Sequence, residues 1–412
     1  MGKKSKGSDH PCLQKYGVPF FGAAFVPYKE VRSKLSNLQE DHRDSSTDEI
    51  SDDKSAAVSG TSDHGNYVVL AGGGGEGHSG IPNSIILARF DFDSNSLSAQ
   101  PVAKLGLGSD CPYRMVVHPG GDGIICALSK SCRLIEWDEV KSAEDHKLVL
   151  KASDKVLTPL EDIKQQLALA FNAEGSILAV GGEDGNLRVF KWPGMEVLLH
   201  DAQAHSSVKD LSFSPDGKFL ISLGRGGPGR VWDVSSSTVV ASLQKENDEV
   251  FAFCRFSQSD GGHHVLYTAG VKGQRGSIVS WNTTSWKRMG SKQVVRDPIS
   301  SFNVSSDGKL LSVGTIEGDI LVINSRNMQV QNLIRKAHLG MVTTLAFTND
   351  SRALVSASMD SSARVTVIEE KKSGGLSMWV IMFILFAIAV YFLKQEGILP
   401  QLLEKTGCTI QM

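Results

Sequence analysis

The stretch Ala71–Asn83, reading AGGGGEGHSGIPN, is where residue types and spacing could support chemistry. Gly72, Gly74 and Gly77 satisfy a G-x-G-x-x-G spacing after the apolar run YVVLA. A dinucleotide site would need a helix next, so that its N-terminus could hold the pyrophosphate. The residues after the loop, NSIILARFD, read as a β-run instead, and no Gly-Lys-Ser/Thr comes after the glycines, so a P-loop fails too. Two readings stay open. In one, the glycines make a hairpin loop that tolerates positive φ and nothing more. In the other, backbone carbonyls left bare by the glycines wrap a large monovalent cation, as in channel filters. The ordered loop would then present Ile81, Pro82 and Asn83 to a partner; Pro82 fixes φ, and the Asn83 amide both donates and accepts. An apolar wedge beside an amide suits prising at a protein surface.

No catalytic constellation stands elsewhere. His118, His205, His263, His264 and His338 fall mostly at repeat positions, and His205 and His338 each follow Ala just before a strand, where a histidine braces the sheet. Asp233 and Asp319 read as turn acids. Cys12, Cys111, Cys126, Cys132, Cys254 and Cys408 form no CxxC pair, and Cys126 and Cys132 lack the histidines of a zinc site, so they read as reduced cytosolic thiols. A formal net charge of −2 gives no sign of a nucleic-acid binder. The 41 glycines against 13 prolines suit many tight β-turns.

The elements that must position the loop repeat along the chain. The clearest unit is HSSVKDLSFSPDGKFLISLGRGGPGRVWDV, from His205 to Val234, with strands at Val208–Phe213 and Lys218–Leu223 and a third ending at Trp232-Asp233. Alternating runs broken by Asp-Gly are strong hairpin signals. Related units run Tyr113–Asp138, Gln166–Trp192, Phe251–Asn282, Ile299–Asn324 and Ala337–Ile368. The first unit is split: YGVPFFGAAFVP supplies one strand, and YVVLAGGGG with NSIILARFD supplies two more. Seven copies at roughly 40-residue spacing predict an all-β, seven-bladed WD-repeat propeller.

The propeller is expected over residues 1–375, interrupted at 28–66 by a Ser- and Asp-rich insertion within the first blade, read as disordered and dispensable. Ser45, Ser46 and Ser51 lie beside acids there and would accept phosphate; a plain solvated loop is the alternative. Residues 376–393, LSMWVIMFILFAIAVYFL, carry no charge and no proline, predicting one transmembrane helix with Trp379 and Tyr391 near its ends. The start of the chain has no apolar h-region, so the propeller is expected in the cytosol and residues 394–412 as a short lumenal tail. Gly2 is also read as a myristoylation site reinforced by the nearby lysines, although the sixth position, where the pattern places Ser or Thr, is Lys6.

A propeller with GGGG…GIPN in its first blade and a single late anchor resembles the Sec-twelve family. Its members are endoplasmic-reticulum exchange factors that load GTP onto the Sar-type small GTPase and start COPII coat assembly. YGVPFFGAAF, the glycine loop and KAHLGMVTTLAF carry the likeness. The resemblance implies potassium on the backbone carbonyls of Gly72, Gly73, Gly74 and Gly75, and a GTPase contact through Ile81, Pro82 and Asn83, with Asn83 needed for exchange. AGGGGEGHSGI, GSDCPYRMVVHP and EDGNLRVFKWP are similar to the plant phosphate transporter traffic facilitator branch. That branch implies non-catalytic help for phosphate transporters leaving the endoplasmic reticulum. Exchange factor, cargo facilitator and generic scaffold are thus the three functional readings.

Overall fold

The computed structural model describes residues 11–44, 66–77, 79–141, 146–257, 264–368 and 378–395. It divides into two compact units, Met1–Ile368 and Glu369–Met412. Seven antiparallel sheets make up the first unit, six with four strands and one with five. The first strand of each sheet packs against the first strands of its neighbours, and the ring closes between Phe20–Phe25 and Val342–Phe347. This is the expected seven-bladed propeller.

Each gap between blades is filled by apolar side chains that alternate along the strands, the period-2 pattern that lets one sheet face two neighbours. Between the third and fourth blades, for example, Ala179 and Val189 meet Val208, Leu211 and Trp232. The repeat histidines brace these sheets as expected. His205 Nε2 lies 2.9 Å from Ser222 Oγ, which also accepts from Trp232 Nε1 at 2.9 Å. His338 contacts Ser362 Oγ at 2.6 Å and Ser356 Oγ at 2.8 Å. Burial lowers both histidines to about 4. Asp233 Oδ1 accepts the backbone N–H groups of Ser235 and Ser236 at 2.9 and 3.0 Å, a turn role. Five cysteines are free and buried; Cys408 and His263 lie outside the described residues.

Two features were not foreseen. Strand β1 (Leu13–Lys15) joins the last blade by pairing with Ser362–Val367, in the register Leu13↔Arg364. After it comes β2 (Phe20–Phe25), the innermost strand of the first blade. The chain start therefore completes the sheet made by the chain's last repeat. The second feature corrects the reading of 28–66 as disordered: Tyr28–Asp44 is helix α1. Val31 is fully buried in the core between the first two blades, Leu35 packs beside it, and the Tyr28 and Tyr67 rings lie 5.2 Å apart. The acidic second half of the insertion masked an apolar stripe at i, i+3, i+7 in the first half. Residues 45–65, with Ser45, Ser46 and Ser51, lie outside the described residues.

The first blade continues with β3 (Asn66–Gly72), β4 (Asn83–Asp91), β5 (Ser96–Leu97) and β6 (Ala103–Gly108). In the second unit, α2 runs Met378–Gln395. Among the described residues no helix is long and apolar enough to cross a membrane. The described side chains of α2 lie between Met382 and Phe392, roughly 16 Å of helix.

Candidate functional site

The glycine loop joins β3 to β4, whose pairing begins at Gly72↔Ser84. Its base is crowded. A Cβ on Gly72 would strike Pro19 O, one on Gly73 the Asn83 side chain, and one on Gly74 Ser79 Oγ. Only glycine lets the backbone pass this close, and Gly75 adds a φ of +85°. The Gly73 N–H donates to Pro19 O at 2.9 Å, which seats the loop against the segment before β2.

Asn83 stands as the first residue of β4, buried at 4% exposure. Its Oδ1 accepts from Gly75 N at 3.2 Å, and its Nδ2 donates to Gly75 O and Gly108 O, each at 3.1 Å. The amide expected to face a partner is engaged inside the molecule, because β4 turns it back toward the loop that precedes it. Ser79 supports the tip, donating from Oγ to Gly74 O at 3.4 Å and accepting from Ile81 N at 3.3 Å. Ile81 and Pro82 are exposed, Ile81 at 38%. The loop is therefore an apolar tip on a braced stem.

Cys111 and Tyr113, which sequence reasoning passed over, complete the brace. Burial raises the Cys111 thiol, against hydrogen bonds from the Gly75 backbone and the Tyr113 hydroxyl that lower it. Burial raises Tyr113 as well, helped by the neighbouring Cys111 and Glu76. They enter from the lead-in to the second blade, so no local spacing announced them. Beside the loop, Glu76 and Tyr113 open onto a cavity of about 720 Å³ shared with the second and third blades. Among the described residues no His, Cys, Asp or Glu group of three or more is placed to hold a metal ion.

Residues 169–256 match the anaphase-promoting complex subunit 4 WD40 domain, and residues 329–366 match the WD domain, G-beta repeat. Similarity to SEC12-like protein 2 of Arabidopsis thaliana reaches 49% identity over 381 residues, 92% of this chain and 94% of that protein. The chain belongs to the SEC12-like family. SEC12-like protein 1 of the same plant is 32% identical over 78% of this chain and 80% of its own length. The guanine nucleotide-exchange factor SEC12 of Rattus norvegicus is 23% identical over 78% of this chain and 90% of its own. In this chain the loop before β4 therefore combines a stem held by Asn83 with an exposed Ile81-Pro82 tip.

Proposed function

We propose that this SEC12-like chain is a guanine-nucleotide exchange factor for a Sar-type small GTPase, acting in COPII vesicle formation at the endoplasmic reticulum. The observation that carries this reading is the exposed Ile81-Pro82 tip on a stem that Asn83 holds rigid. Exchange needs only tighter binding of the nucleotide-free GTPase than of the loaded one. A preorganised apolar tip supplies that difference without first paying to order a loop. Asn83 then acts as a positioning residue, and Ile81 and Pro82 make the contact. Release of labelled GDP from a Sar-type GTPase, monitored with and without the full chain, tests the reading. Acceleration supports it; an unchanged release rate removes it.

Potassium belongs to the same proposal. Gly74 O and Gly75 O each accept one hydrogen bond, from Ser79 and Asn83, and each keeps a second lone pair. Neutral carbonyls without a carboxylate suit a weakly bound monovalent ion better than a divalent one. The carbonyls of Gly72–Gly75 would hold it and stiffen the loop. Slower amide exchange at Gly73–Gly77 in potassium than in sodium is the expected sign; equal exchange would remove the ion from the account.

The anchor completes the reading: α2 as a single transmembrane helix, the propeller cytosolic, and the residues after Leu393 lumenal. The uncharged run from Leu376 to Leu393 supports it, as do the exposed side chains of Phe383 and Phe386, which a lipid surrounding would cover. A second reading is a non-catalytic facilitator of phosphate transporter export. It is favoured by the higher identity to SEC12-like protein 2 than to the rat exchange factor, and by an Asn83 amide already occupied.

A further inference from the structure

The cavity beside the glycine loop is lined by Glu76 from the loop, Lys130 from the second blade, Asp162 and Lys164 from the connector after it, and Glu183 from the third blade. All five charged side chains are exposed. Among the described residues none of the five forms an ion pair, although ion pairs are common elsewhere on this surface. The platform is nevertheless fixed. Ile163 N donates to Lys130 O, and Glu183 N to Gln165 O, each at 2.9 Å, lacing the connector to both blades. Carboxylates outnumber ammonium groups, so the cavity repels a nucleotide's phosphates and attracts a basic group.

We infer that this cavity receives a lysine or arginine side chain of the GTPase surface that the glycine loop engages, and so helps select that partner. The inference rests on the exchange reading above. Charges in such an open rim act mainly on association rate and on rejection of wrong partners. The acidic groups face the partner from three different blades or connectors, which makes the recognition depend on the assembled ring.

The test measures association of the full chain with a Sar-type GTPase, with nucleotide release read in parallel, at low and high ionic strength. For the double substitution Asp162→Lys, Glu183→Lys, association should slow about tenfold at low salt, and the difference should vanish near 0.5 M salt as screening takes over. Lys130→Glu should leave association unchanged or faster. If the wild-type chain accelerates release while the double variant associates as fast as wild type, the cavity plays no part and this inference falls alone. If Lys130→Glu slows association as much as the acidic reversals do, the sign is wrong and it falls likewise. If wild type neither binds nor accelerates release, the exchange reading falls first and takes this one with it.

Discussion

Asn83 grips Gly75 by both sides of its peptide unit, accepting from the Gly75 N–H at 3.2 Å and donating to the Gly75 carbonyl at 3.1 Å. The same Nδ2 reaches Gly108 O at 3.1 Å, so one buried amide ties the loop to both β4 and β6. Replacing it by Ala leaves these backbone groups unpaired, which costs about 1–3 kcal/mol. Asn83→Ala should therefore loosen the loop, raise amide exchange at Gly73–Gly77 and slow GTPase loading about tenfold or more, with the propeller still folded. Normal loading by this variant, with the loop as protected as in wild type, would show that the brace does not matter.

Ile81 separates contact from positioning. It is exposed and fills no core, so Ile81→Asp should change stability by no more than about 0.5 kcal/mol. Partner binding should nevertheless fall by about tenfold or more, because a charge is pressed into an apolar contact. Unaltered affinity measured by titration would take Ile81 out of the interface.

Helix α1 should matter to stability. Val31 is fully buried in the core between the first two blades, and removing two methyl groups there costs about 2 kcal/mol. Val31→Ala should lower the urea midpoint, whereas Lys29→Ala, at an exposed position of the same helix, should not. Equal midpoints for the two would mean that α1 packs too loosely to count.

Acid should weaken the fold through its buried histidines. Burial lowers His205 and His338 to about 4, well below the ordinary value of 6.5. Between those values the unfolded chain binds protons that the folded chain refuses. This stability is fully present above about pH 6.5 and is lost as pH falls through about 4. Urea midpoints from pH 7.5 to 4.5 should drop, and drop less in His338→Asn. A parallel drop in both proteins would exclude His338 as a source.

The repeats were legible because their signal is local. The strand read at Val208–Phe213 is the strand observed, since alternation and an Asp-Gly turn are properties of neighbouring residues. What escaped depends on residues far apart. β1 is three residues long and acquires meaning only beside Arg364. Composition taken over the whole insertion hid the stripe of Tyr28, Val31 and Leu35. At the site, Ile81 and Pro82 are exposed while Asn83 is not, because the direction of its amide is set by the β3–β4 register and by Gly108, twenty-five positions away. Cys111 and Tyr113 belong to the site only because the second blade lies beside the first.

Two adjacent carbonyls divide the labour at the start of the ring. Pro19 O takes the N–H of Gly73, and Phe20 O takes the Thr343 hydroxyl at 2.7 Å from 323 positions further along the chain. The second of these contacts must wait until nearly the whole propeller has been synthesised. A ribosome therefore releases the first blade long before its seam partner exists, and non-local closure of this kind is slow. Until the last blade arrives, the backbone that seats the glycine loop is held on one side only. Birth order thus gives a newly made chain a period in which the first blade is present but the ring is not yet closed.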